Sequence, residues 1–367
     1  MFTETRSWRA VQRAVRVADM AATPHGVDRY VELVAPTWST TEVRGRVALV
    51  RRQTDNTVTL TIDPNRNWRG FRAGQHTQLT VEIDGVRHTR CYSMASSAAA
   101  ASRHFELTVK AHPHGTVSNF LVEHAQPGLV VGLSPAQGAF TMPALRPSRL
   151  LLISGGSGIT PVLSMLRTLC EEGHTGPITF VHYALRSDDM TYRSELDALA
   201  AAHPNIRLIR VFTDEPGTGD LDGFVDLAQL ADIDASWAAA EAYVCGPAPL
   251  MAAVEEIFAQ RGIGKQLHTE AFALEQVLAE AGSVGGSLRF AASSTSVPSD
   301  GRTVLQQAEA AGLRPASGCR MGICHTCACP LQAGTVRDIV TGELTSGAGA
   351  DVRICVSVPV GDVEFDL

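Results

Sequence analysis

The chain has 367 residues, 45% of them hydrophobic and 19% charged, with a net charge of −7. That length suits two or three domains at roughly 150 residues each. The negative balance argues against a nucleic-acid partner, and no apolar run approaches the ~18 residues of a membrane span.

Residues 1–41 read as an N-terminal extension, with a helix through RSWRAVQRAVRVADM. On that helix Arg6, Arg9, Arg13 and Arg16 fall on one stripe, and Trp8, Val11 and Val15 on an apolar stripe beside it. Such a helix either packs its apolar stripe on a neighbouring domain or lies peripherally on an anionic membrane. Glu4 and Asp19 dilute its charge. The segment lacks the apolar centre of a signal peptide, so a cytoplasmic location is expected.

Residues 42–146 alternate apolar and polar positions. RGRVALVRRQTDNTVTLTIDP, GQHTQLTVEIDG, VRHTRCYSMA and RHFELTVKAHP end at turn residues, as antiparallel strands do, and predict a β-barrel. Within them RCYS, Arg90 to Ser93, places an arginine, an aromatic and a hydroxyl along one strand. An arginine can pair with a diphosphate and a tyrosine can stack on a flavin ring. An ordinary strand with one solvent-facing arginine would read the same.

Residues 147–274 change rhythm. SRLLLIS is a short buried strand, followed by GGSGITP and a helical VLSMLRTLCEEG. Strands at PITFVHYAL, IRLIRVFT, EAYVCGP and QLHTEAF, with helices at TYRSELDALAAA and APLMAAVEEIFAQRG, predict an open parallel α/β sheet. GGSGITP ends a strand and opens a helix, so its glycines can admit a pyrophosphate to a helix N-terminus. Many such turns are simply tight turns. Pro161 suits a first helical turn, where its missing N–H costs nothing. Arg186 and Arg193 follow the second strand and can pair with a 2′-phosphate, favouring NADPH over NADH; Asp188 and Asp189 argue the other way.

Residues 275–285 form a linker with a Gly/Ser-rich end, and 286–367 a third, α+β domain of hairpin, helix and cysteine loop. That loop reads SGCRMGICHTCACP. Cys319, Cys324 and Cys327 are spaced C-x4-C-x2-C, and Cys355 follows far downstream. This is the plant-type spacing for the four ligands of a [2Fe–2S] cluster. Structural zinc prefers two paired knuckles, and only one is present. Disulfides do not suit this compartment. Cys329, one residue past a ligand, reads as a small buried hydrophobe.

Together RCYS, GTVSNFL, GGSGITP, YVCGPAPLM and the cysteine set resemble, in family order, the ferredoxin–NADP reductase superfamily fused to a plant-type ferredoxin (β-grasp) domain. The resemblance implies that Arg90, Tyr92 and Ser93 bind the flavin, with Ser93 near its N5. Val109 and Lys110 would lie on the next flavin-contacting strand, and Gly115, Thr116, Val117 and Ser118 would hold the flavin phosphates. It implies that Gly156, Gly158, Thr160 and Pro161 face the nicotinamide dinucleotide. Cys245, Gly246, Pro247 and Met251 would belong to the element beside the nicotinamide and its helix. Glu270 and Phe272 would take the place of the acid and aromatic beside the flavin. Ser93, Cys245 and Glu270 are thus the catalytic candidates.

Similar proteins of the phthalate dioxygenase reductase type carry FMN, but TVSNFL looks more like the FAD-binding majority. The implied activity is NAD(P)H oxidation. A hydride carries two electrons and the cluster takes one, so the flavin would stand between them. The Ala/Arg-rich extension and HTRCYSMASS look most like actinobacterial reductases that serve a stearoyl-CoA Δ9-desaturase. Other acceptors of this class are phenylacetyl-CoA epoxygenase, alkane hydroxylases, Rieske oxygenases and haem oxygenases such as P450s. A redox-sensing iron–sulfur flavoprotein is the reading from another class.

Overall fold

A computed structural model describes residues 31, 34–112, 115–271, 285–318, 320, 322, 325–339 and 343–367. The expected N-terminal arginine helix, the helical part of the linker, Phe272, Cys319 and Cys324 lie outside the described residues. The chain divides into two compact units, on either side of Ala271 and Phe272.

The first unit begins with six strands: β1 Val43–Thr54, β2 Thr57–Pro64, β3 His76–Ile83, β4 Val86–Ser93, β5 Phe105–Lys110 and β6 Val130–Leu133. They pair antiparallel in the order β4-β3-β6-β1-β2-β5. The two edges meet where Met94, just past β4, bridges Leu107 of β5, and Ala95 N–H donates to Glu106 O at 2.9 Å. The strand period shows in β5, where Phe105, Leu107 and Val109 point into the core and their neighbours do not. Trp68 stacks on Phe105 with ring centroids 4.7 Å apart. Asp84 and Gly85 join β3 to β4 with φ of 51° and 75°. Positive φ at both residues is the turn that matches strand twist. It sets the register that puts His76 opposite Ser93 and Thr77 opposite Tyr92. Helix α1, Thr116–His124, lies between β5 and β6.

The second half of this unit is a parallel sheet in the order β10-β9-β8-β7-β11-β12. Its strands are β7 Leu150–Gly155, β8 Ile178–Ala184, β9 Ile206–Phe212, β10 Leu221–Asp222, β11 Glu241–Cys245 and β12 Leu267–Glu270. Helices α2 Ile159–Glu171, α3 Arg193–Ala202, α4 Leu227–Ile233 and α5 Ala248–Gln260 connect them. β7 and β8 are buried along their whole length, as parallel strands covered on both faces are. β7 is the first strand, and the chain goes to one side of it for β8 and β9 and to the other for β11 and β12. The crevice between the carboxyl ends of β7 and β11 is therefore a topological switch point, where such sheets take ligands. The two-residue β10 and short α4 have no counterpart among the sequence expectations. Helix α3 begins two residues later than TYRSEL predicts, because Tyr192 adopts φ 63° and points its ring toward the barrel.

The second unit pairs β13 Ser287–Phe290, β14 Thr295–Pro298, β15 Ala328–Asp338, β16 Leu344–Ser346 and β18 Ser357–Phe365 in the order β14-β13-β18-β15-β16. β17, Asp351–Arg353, pairs with β15. Helix α6, Val304–Ala310, starts at a capping box of Thr303 and Gln306 and packs Val304, Leu305 and Ala308 on the sheet with Phe290 and Phe365.

Candidate functional site

The RCYS strand delivers its residues to the barrel seam. Ser93 is 3% exposed. Tyr92 packs against the barrel core, and its phenol is pushed up chiefly by burial. Arg90 Nη1 donates to Thr89 O at 2.8 Å. On β5 the Val109 side chain belongs to the core, so only its backbone can meet a ligand, whereas Lys110 is half-buried. Gly115 precedes α1, and a Cβ there would lie 2.2 Å from Ser118 Oγ. Ser118 Oγ donates to Gly115 O and accepts from His112 N–H, both at 3.2 Å. Thr116 is exposed, while the side chain of Val117 is buried. A diphosphate at this turn would meet backbone N–H groups, the Thr116 side chain and Ser118.

Four polar groups converge where the seam meets the sheet. His76, 3% exposed, is opposite Ser93 and has Nδ1 3.5 Å from Glu270 Oε1. Both His76 ring nitrogens, Ser93 Oγ and Glu270 Oε2 are buried without a hydrogen-bond partner. Buried polar atoms are normally satisfied, so this set fits a polar ligand edge such as that of a flavin. Glu270 lies in register with Cys245, and Cys245 with Ser154. The fully buried Cys245 thiol is pushed up by desolvation first and by the Glu270 carboxylate second. It stays neutral in the working pH range. Sequence reasoning missed His76. The signal available was the Asp-Gly turn, whose register pairs it with Ser93.

GGSGITP and VCGP are packed on each other. A Cβ on Gly158 would lie 2.2 Å from Cys245 O, and one on Gly246 would lie 3.0 Å from Gly155 N. Gly156 has φ 52° with open space around it. Helix α2 starts at Ile159, which puts Pro161 in the first turn; Thr160 Oγ1 donates to Ser157 O at 3.2 Å. Pro247 caps α5, and Met251 points into the core of the sheet. Arg186 is paired with Glu215 at 3.3 Å, and Arg193 is the exposed first residue of α3. The structure does not bring the two arginines together on one anion.

In the second unit Cys327 and Cys355 are each 3% exposed. Ile354 N–H donates to Cys327 O at 3.2 Å, which ties the segments that carry the two cysteines. Arg353 spans the loop, donating to Gly322 O at 2.6 Å and to Asp338 Oδ2 at 2.5 Å. Buried thiols on a loop held by its backbone suit the thiolate ligands of an iron–sulfur cluster. Cys329 sits on β15 in the core, with its thiol 3.9 Å from Pro330 O.

Family profiles match three segments: an Oxidoreductase FAD-binding domain at residues 48–142, an Oxidoreductase NAD-binding domain at 152–256 and a 2Fe-2S iron-sulfur cluster binding domain at 291–360. The NADPH oxidoreductase of Mycobacterium tuberculosis is 37% identical over 98% of this chain and 93% of its own length. The glycine betaine monooxygenase reductase subunit of Pseudomonas aeruginosa is 32% identical over 81% of this chain and 87% of its own. The solved structure of phthalate dioxygenase reductase shares the fold with a TM-score of 0.62, at 21% identity, covering 88% of this chain and 97% of that one.

Proposed function

The chain belongs to the ferredoxin reductase-type NAD(P)H oxidoreductases that bind FAD and carry a C-terminal [2Fe–2S] domain, and from that premise we propose that it delivers single electrons to an oxygenase or desaturase. The carrying observation is the meeting of Ser93, His76 and Glu270, with their unpartnered buried atoms, and Cys245 at the mouth of the switch point. When bound there, FAD supplies the step from two electrons to one. Arg90 and the turn at Gly115–Ser118 hold its diphosphate, and Tyr92 covers its ring. Ser93, His76 and Glu270 offer hydrogen bonds at its reacting edge. Cys245, as a neutral thiol, fills the space beside the nicotinamide and excludes water. Cys319, Cys324, Cys327 and Cys355 hold the cluster. The domain limits that go with this reading are 42–146, 147–274 and 286–367.

The acceptor we favour is a stearoyl-CoA Δ9-desaturase, on the resemblance carried by the N-terminal arginines and HTRCYSMASS. A monooxygenase is the second reading, favoured by likeness to the Pseudomonas reductase subunit. The proposal extends to peripheral membrane contact through the arginine stripe, although no described helix is long and apolar enough to cross a membrane.

The test is a Cys355→Ser variant. It should lose the cluster spectrum and all acceptor reduction, yet its flavin should still bleach on adding reduced nicotinamide at the wild-type rate. Acceptor reduction that survives loss of the cluster would sink the reading. Sedimentation with anionic liposomes, with and without residues 1–40, tests the membrane contact; equal behaviour of the two proteins rules it out.

A further inference from the structure

Past the carboxyl ends of β8 and β9 the ladder runs on. Thr213 N–H donates to Ala184 O at 3.0 Å and Asp214 N–H to Leu185 O at 2.9 Å. This brings Glu215 level with Arg186 and Ser187. One carboxylate oxygen of Glu215 accepts from Ser187 N–H at 2.7 Å and the other from Arg186 Nη2 at 3.3 Å. The loop behind it is tied down: Thr218 Oγ1 donates to Glu215 O at 2.7 Å, and Gly217 N–H donates to Asp222.

The location is the ligand edge of an open parallel sheet. Two large apolar side chains stand exposed at the same edge, Leu185 at 56% and Phe224 at 76%, following β8 and β10. Exposed apolar groups beside fixed polar ones suit an adenosine, with a flat base and a ribose to hold.

A backbone N–H and a guanidinium are the donors that a 2′-phosphate requires. Here a carboxylate already accepts from both, from the Ser187 N–H and from Nη2 of Arg186. A phosphate entering this place would meet the Glu215 charge and would have to displace it, with Asp188, Asp189 and Asp214 adjoining in the chain. A ribose 2′-hydroxyl meets no such conflict, because it donates to a carboxylate.

We infer that Glu215 is a specificity residue that accepts the 2′-hydroxyl of NADH and turns away the 2′-phosphate of NADPH. The inference rests on the nicotinamide-nucleotide reading of this sheet edge. The Ser187 hydrogen bonds hold the Glu215 carboxyl below the usual carboxylate range, so it is an anion at neutral pH. It also reverses the preference that Arg186 suggests in the sequence alone, since that arginine is committed to Glu215.

The test uses the FAD-loaded protein, with 5′-AMP and adenosine 2′,5′-bisphosphate as probes in equilibrium binding. Glu215→Gln should tighten the bisphosphate by about tenfold, the worth of one charge-assisted contact, and weaken 5′-AMP. Adding Arg186→Ala to that variant should cancel the gain. FAD content equal to wild type checks that the variants are folded. An unchanged ratio of the two affinities in Glu215→Gln would overturn the inference. If neither probe binds protein that still binds NADH, the adenosine lies elsewhere, and the inference fails while the reductase reading stands. If NADH does not bind either, both fail.

Discussion

Gly156 and Gly158 stand two residues apart and are glycine for different reasons. At Gly156 the backbone has φ 52° with nothing within 4 Å of a Cβ, so alanine there costs about 1 kcal/mol of local strain. At Gly158 φ is −63°, which any residue adopts, but a Cβ would lie 2.5 Å from the carbonyl carbon of Cys245. The end of β11 would have to retreat and take Cys245 with it. Gly158→Ala should therefore slow flavin reduction by more than about tenfold, because a displacement near 1 Å at a reacting centre is that costly. Gly156→Ala should slow it less, since no protein atom lies within 4 Å of the added Cβ and the strain stays local. Stopped-flow bleaching of the flavin measures both, and equal effects would refute the distinction. The glycine-rich turn was plain in the sequence. What Gly158 makes room for was not, because Cys245 arrives from a strand far along the chain.

At the scale of elements, the parallel sheet carries a row of polar residues in register: Glu270, Cys245, Ser154 and His182 on β12, β11, β7 and β8. Ser154 Oγ lies 2.8 Å from His182 Nδ1. His182 is buried, and its imidazole is pushed down to about 4, by desolvation first and by the positive charge of Lys110 second. A depressed histidine contributes stability above its unfolded pKa that is lost as pH falls toward the folded one. Between about pH 6.5 and 4 the unfolded chain binds a proton here that the native sheet refuses. The sheet should lose about 2 kcal/mol at pH 5 relative to pH 8 from this residue. Urea unfolding at the two pH values should show that loss in wild type and much less of it in His182→Asn. The same acid loss in both proteins would assign it to other groups. Lys110, expected from its strand to serve the flavin, thus also acts across the boundary between barrel and sheet. Periodicity marks both strands as buried, but it does not reveal that the charge of a lysine on one reaches a histidine on the other.

For the whole molecule, the consequential contact is the one that orients barrel against sheet within the first unit. Arg167 on α2 donates to both carboxylate oxygens of Glu195, at 2.6 and 2.7 Å, to Glu106 of β5 at 2.9 Å and to Ala95 O at 2.7 Å. Its guanidinium sits 5.0 Å over the ring of Tyr192, whose hydroxyl bonds Thr59 and Thr108 of the barrel. One arginine thereby ties the half that holds FAD to the half that holds the nicotinamide nucleotide. Arg167→Met keeps the bulk but leaves the Glu195 carboxylate unpaired and Glu106 with Arg51 alone, 3.3 Å away, and should cost about 3 kcal/mol. Most of the residues assigned to FAD lie on the barrel, so its affinity should change less than the rate of flavin reduction. A rate that stays at the wild-type value in a destabilised variant would reduce the clamp to a purely structural role.

The sequence by itself determined the order of barrel, parallel sheet and iron–sulfur domain and the kinds of cofactor, and it singled out the candidate cysteine set. Those signals lie in consecutive residues: a period of two in β5, an unbroken apolar run in β7, a strand–glycine–helix turn, and three of the four candidate thiols at fixed spacing in one short stretch. The FAD-binding, NAD-binding and 2Fe-2S profiles bear out FAD and the cluster on that basis. Only the tertiary structure decided which side chains meet. His76 reaches Ser93 through the register of a hairpin and Glu270 through the closure of a distant sheet. Glu215 reaches Arg186 because the β8–β9 ladder continues past its last paired strand residues. The Asp84–Gly85 turn sets one hairpin register locally, but crossovers and the pairing of distant strands are properties of whole sheets, and no local stretch of residues specifies them.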